Sequence, residues 1–104
     1  MSHAEGYQSY ANEGGAHAEG GYWLEKGSSK NFSGGIASGK GSHAEGNAAS
    51  AIGIGSHAEG YKTKATNDYA HSEGYSSIAS GQYGAHAEGH TTSADGNYAH
   101  AEGK

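Results

Sequence analysis

Small and large side chains alternate along this chain in short runs, and the runs recur. Ser42 and Ala44 fall on one face of an extended segment, with His43 and Glu45 on the other, because successive side chains of a strand point to opposite faces. Shortly after, Ala49 and Ala51 share a face and Ser50 and Ile52 lie opposite. The small positions of this second run return as Ser9 and Ala11, Gly35 and Ala37, Thr63 and Ala65, and Thr92 and Ala94. One coil reads small-x-Ala-x-Gly-x-x-[Ser/Ala]-His-Ala-Glu-Gly plus two linking residues, which predicts two short strands separated by turns. If the small faces look at each other, the coil is flat and thin. Nothing larger than Ala, Ser or Thr then fits between its sheets.

The first half of the coil is a nearly fixed word. It is SHAEG at 2–6, 42–46 and 56–60, AHAEG at 16–20, 85–89 and 99–103, and AHSEG at 70–74. Its histidines are spaced by 14, 26, 14, 14, 15 and 14 residues, and a fixed period with a fixed word marks a stacked repeat. The expected fold is all-β: a parallel β-roll (a β-solenoid) of about seven 14-residue coils, forming one domain over 1–104. Gly6, Gly20, Gly46, Gly60, Gly74, Gly89 and Gly103 close the words and are predicted to be turn glycines needing positive φ or close backbone approach. The second turn carries Gly39, Gly53, Gly81 and Gly96, with Asn67 in the same place, a residue that also tolerates positive φ. Glu13 makes the first coil irregular, and the 15-residue spacing places one extra residue, a local bulge, in the turn at 81–85.

Composition sharpens this picture. Leu, Ile, Val and Phe total six, far too few for a globular core. Conformational entropy of about 1.5 kcal/mol per residue opposes folding, so the chain is expected to self-associate. A net charge of −5, with six Lys and no Arg, offers no face for nucleic acid. No apolar run is long enough for membrane insertion. The absence of Cys removes disulfides and thiolate metal sites, and the absence of Pro excludes collagen.

With the small face inside, each His and Glu of the word points outward and stacks on its counterparts in neighbouring coils. Exposed turn positions vary (Tyr7, Gly21, Asn47, Tyr61, Tyr75, His90), whereas the His/Glu face does not. That uniformity assigns it to an interface, in which the His of one chain meets the Glu of another in a cyclic oligomer. The residues are His3, Glu5, His17, Glu19, His43, Glu45, His57, Glu59, His71, Glu73, His86, Glu88, His100 and Glu102. Acid is expected to charge such a ladder and loosen it, unless His⁺–Glu⁻ pairs are native, in which case dissociation comes on the alkaline side.

These words resemble the YadA-like head of trimeric autotransporter adhesins, and also the repeats of phage tail-fibre and prophage structural proteins. Ser42-His43-Ala44-Glu45-Gly46 matches the first half of the head coil with His for Val and Glu for Ile, and Ala49-Ser50-Ala51-Ile52-Gly53 matches the second. The resemblance implies a left-handed roll, three rolls around one axis as a homotrimer, and the outward first-strand residues as the trimer core. It covers all but 21–35.

That insertion, GYWLEKGSSKNFSGG, holds the only Trp, Leu and Phe of the chain. Trp23 has no room in a thin roll, so the segment is expected to leave it as a loop or hairpin. Tyr22, Trp23, Leu24, Lys26, Lys30 and Phe32 form a candidate receptor-contact loop; the alternative is a flap folding its aromatics onto the roll. Tyrosines 7, 61, 69, 75, 83 and 98 lie in or beside turns, either packing coil to coil or presenting an adhesive edge. The seven histidines of the repeated word admit a metal-binding reading, but a His beside a Glu in every layer is more simply a hydrogen-bonded ladder, so no metal or cofactor is assigned. Catalysis is not expected, because a reactive site breaks symmetry and these groups recur in every coil.

The expectation is therefore a non-enzymatic segment of a trimeric surface fibre, extracellular on a bacterial surface or a phage virion, that attaches to a host receptor or extracellular matrix. The alternative is a self-assembling filament or virion subunit of purely structural role. Beginning and ending within the repeat, the chain is expected to be a fragment or a component that stacks end to end.

Overall fold

The two half-words form the two strands expected of them. The computed structural model describes residues 1–6, 9–20 and 34–104. Among these, the His words are β1 (His3–Glu5), β3 (His17–Glu19), β5 (His43–Glu45), β7 (His57–Tyr61), β9 (His71–Tyr75), β11 (His86–His90) and β13 (His100–Gly103). The second half-words are the two-residue strands β2 (Tyr10–Ala11), β4 (Ile36–Ala37), β6 (Ser50–Ala51), β8 (Lys64–Ala65), β10 (Ile78–Ala79) and β12 (Ser93–Ala94). All odd strands form one seven-stranded sheet and all even strands a six-stranded one, each in chain order. Every described pairing is parallel, so the chain is a β-solenoid of about six turns. No described helix is long and apolar enough to cross a membrane.

Register is strict. His57 lies opposite His43 and His71, Ala58 opposite Ala44 and Ser72, and Glu59 opposite Glu45 and Glu73. The long gap between the second and third words does not disturb it: His17 pairs with His43, and Tyr10 with Ile36. The chain is in the ladder at Gly35, whose carbonyl accepts the Tyr10 N–H at 2.9 Å. Residues 21–33, with every member of the candidate receptor-contact loop, lie outside the described residues.

The interior is as thin as the alternation requires. Ala18, Ala44, Ala58, Ser72 and Ala87 of one sheet face Ala37, Ala51, Ala65, Ala79 and Ala94 of the other, all at 2% exposure or less. A Cβ on Gly35 would fall 2.6 Å from the Ala44 carbonyl oxygen, so even alanine is too large at that point. Methyl groups bury little apolar area, and the coils are joined chiefly by backbone ladders in which the N–H and C=O groups find partners. His43 N–H, for example, donates to the Ser56 carbonyl and His57 N–H to the Ala70 carbonyl, both at 2.9 Å. Inside, Ser42 and Ser56 hydroxyls donate to the Gly39 and Gly53 carbonyls at 2.6 and 2.7 Å, tying down the second turn.

The word-closing glycines have φ between 101° and 118° from Gly6 to Gly103, and Gly60, Gly74, Gly89 and Gly103 take it inside the last residues of their strands. The second turn corrects the expectation. Gly39, Gly53, Gly81, Gly96 and Asn67 do not take positive φ; that conformation falls two residues later, on Gly41, Gly55, Tyr69, Tyr83 and Tyr98. What excludes a side chain at Gly53 is crowding, since its Cβ would lie 2.1 Å from the Asn67 carbonyl carbon. The extra residue sits where the spacing put it. Tyr83 and Gly84 are both left-handed, and they divide the hydrogen bonding of one position between them. Gly84 N–H reaches back to the Asp68 carbonyl at 3.3 Å, while the following coil's Tyr98 N–H donates to the Gln82 carbonyl at 3.0 Å.

Candidate functional site

Parallel, in-register pairing stacks the outward residues of the His strands into two rows. Consecutive imidazoles from His17 to His100 lie 4.6–4.8 Å apart, centroid to centroid, and within 14° of parallel; at the end of the row His3 meets His17 edge-on at 5.0 Å. Beside this row runs the row of glutamates. Within each strand the His Nε2 lies 3.2–3.5 Å from the Glu Oε2 two residues on. The chain thus supplies its own His–Glu pairs, whereas sequence reasoning had them form between chains.

The pairing is incomplete. His3 and His57 point at their carboxylates in hydrogen-bonding geometry. In His17, His43, His71 and His86 the distance is the same but the alignment is poor, and those Nε2 atoms are shut off from water without a hydrogen-bond partner. The side chains as wholes stay about one-third exposed in the middle of the row, 32% for His86 and 35% for Glu88. A flat, repeating face is left, its polar atoms partly desolvated and unsatisfied, and a buried polar atom without a partner is unfavourable. Beyond the carboxylates an open groove of about 640 Å³ is lined by Glu59, Glu73, Glu88 and Glu102 with the turn glycines 74, 89 and 103.

Two clusters have ligand atoms within 4.8 Å of one another: His71, Glu73 and His86, and Glu88, His100 and Glu102. Imidazole and carboxylate together suit a first-row divalent metal. The clusters are the ladder itself, read across neighbouring layers.

Aromatic residues edge both turns. At the ends of the His strands, Tyr61 stacks on Tyr75 at 5.0 Å and Tyr75 on His90 at 4.7 Å, with the Lys62 ammonium 5.3 Å from the Tyr61 ring centre. After the second strands, Tyr83 stacks on Tyr98 at 5.4 Å. Packing from coil to coil and exposure therefore coexist: Tyr69, Tyr75, Tyr83 and Tyr98 are all exposed. Sequence reasoning placed these tyrosines at the turns but missed Asp95. Its Oδ1 accepts from the Ser80 hydroxyl at 2.6 Å and the Ser93 hydroxyl at 2.8 Å, joining two coils. Those hydrogen bonds, Ser80 first, hold the Asp95 carboxyl below its ordinary range. The missed signal was the period itself, since Ser80 and Asp95 lie one 15-residue coil apart.

Comparison with known proteins adds no relative: no family model, curated protein or solved structure matches the chain.

Proposed function

We propose that this chain is a non-enzymatic segment of a homotrimeric surface fibre, an adhesin head or a phage tail fibre, with the His/Glu face as the contact between chains. One observation carries the reading. The imidazole nitrogens of His17, His43, His71 and His86 are already out of water yet lack an aligned partner, on a face whose register is kept in every layer. A second and third copy would supply those partners along the whole ladder and cover the one-third-exposed side chains. The turns would then face outward, available to a host receptor or matrix.

Sedimentation equilibrium of the chain near neutral pH tests this: a trimer supports the reading, and a monomer sinks it.

The chelating clusters favour one competing reading, a metal-binding repeat. Added Zn²⁺ or Ni²⁺ would then raise the thermal midpoint at micromolar concentration and a chelator reverse it, with no change of mass.

A further inference from the structure

The Tyr edge of the second turn changes character along the chain. In the N-terminal coils its left-handed position is held by Gly15, Gly41 and Gly55, with φ of 74°, 67° and 61°. In the C-terminal coils Tyr69, Tyr83 and Tyr98 hold it, with φ of 61°, 61° and 58°. Tyrosine is a poor residue for this conformation, and here it is not compensated by burial: the three residues are 66%, 57% and 75% exposed. Backbone strain at rings that stay largely exposed points to a role for them.

The bulge gives them an arrangement. Tyr69 rests on the preceding coil, its ring carbon 3.3 Å from where a Cβ on Gly55 would be. Tyr83 stacks on Tyr98 of the following coil. Between Tyr69 and Tyr83, where the extra residue offsets the ladder, no ring contact forms; a cleft of about 290 Å³ opens instead, lined by Asn67, Asp68, Tyr69, Gln82 and Tyr83. Two of its polar residues are pinned from behind. Asp68 Oδ1 accepts the Ile54 N–H at 2.8 Å, and Asn67 Nδ2 donates to the Ser80 carbonyl. Asn67 Oδ1, Asp68 Oδ2 and the Gln82 side-chain amide are left without partners among the described residues.

We propose that this cleft binds a neutral saccharide unit, held between the Tyr69 and Tyr83 rings. A sugar ring offers C–H faces to aromatic surfaces and a rim of hydroxyls to amides and carboxylates, and the cleft is lined by both kinds of group. Competing ligands fit less well. An apolar or aromatic side chain would leave the two amides and the carboxylate unsatisfied. An anionic sugar or a nucleotide would meet Asp68 on a chain of net charge −5 without Arg. The inference rests on the fold and the bulge, not on the trimer.

The test is NMR titration of the full chain, following tyrosine ring signals, with tri- and tetrasaccharides of the cello, malto, chito and galacto series. Tyr69→Gly and Tyr83→Gly are the informative variants, because Gly already occupies this position in three other coils and the fold will survive. Expected is saturable binding of at least one oligosaccharide with Kd below about 5 mM, weakened about tenfold or more by either variant. The thermal midpoint should be unchanged or raised, and Tyr75→Ala, on the other edge, should leave affinity within about twofold. Failure of every oligosaccharide to bind, survival of binding in both glycine variants, or preferential binding of tetramethylammonium would each overturn the proposal.

Discussion

Where the His strand runs into its turn, Gly60 has a φ of 113°, and a Cβ there would fall 2.1 Å from the Gly74 carbonyl oxygen. In the other turn these two demands are separated. Gly53 is crowded, its Cβ position 2.1 Å from backbone, but its φ is ordinary; Gly41 has a φ of 67° and open space around it. A glycine is therefore irreplaceable where conformation and crowding coincide, whereas a position with conformation alone tolerates other residues. That is why the closing Gly of the word never changes, while Tyr69, Tyr83 and Tyr98 stand where Gly41 and Gly55 do. The first turn has its own tolerant positions, since Ala48, Lys62, Ser76 and Thr91 are left-handed two residues after the word glycine.

The largest expected effect is at Gly60. Gly60→Ala adds an overlap with backbone that cannot move without opening the ladder, and φ of 113° lies outside what alanine adopts. A loss above about 3 kcal/mol is expected, measured by urea unfolding at fixed chain concentration; a loss below about 1 kcal/mol would break the distinction between the turns. Gly41→Ala tests the other side. With open space and a φ within the left-handed well, it should cost about 1 kcal/mol, and Gly41→Asn less. Thr91→Asn sharpens the point in the opposite direction. A β-branched residue at φ 59° is strained, so the exchange should stabilise by about 0.5 kcal/mol, as a small rise in thermal midpoint.

The smallest effect is electrostatic and belongs to the second turn. The Asp95 carboxyl is held below its unfolded value near 3.8 by the Ser80 and Ser93 hydroxyls. Its stabilisation is thus present above that value and lost as pH falls through the lower folded one. Asp95→Asn should lower the thermal midpoint slightly at pH 7, and the difference from the unaltered chain should shrink as the pH falls below 3.8. A difference that persists in acid would assign the contribution to packing instead.

Much of the molecule is determined by the sequence alone. The alternation of Ala44 and Ala58 with His and Glu sets which face is inside, because a strand has a period of two and the sheets leave room only for side chains as small as Ala, Ser and Thr. The 14-residue spacing sets the register, and with it the stacking of His on His and Glu on Glu. The extra residue in 81–85 was also visible as a spacing of 15.

Other features were decided only by the tertiary structure, because they depend on where one coil lies against the next. Crowding at Gly53 comes from Asn67, 14 residues away, and no local rule distinguishes it from a demand for positive φ. The His–Glu partner is the residue two positions along the same strand, a choice set by side-chain rotamers rather than by pattern. The cleft between Tyr69 and Tyr83 exists because an extra residue splits one hydrogen-bonding position into two and offsets a ring from its stack. A spacing announces that offset, but the space it opens is a property of the packed coils.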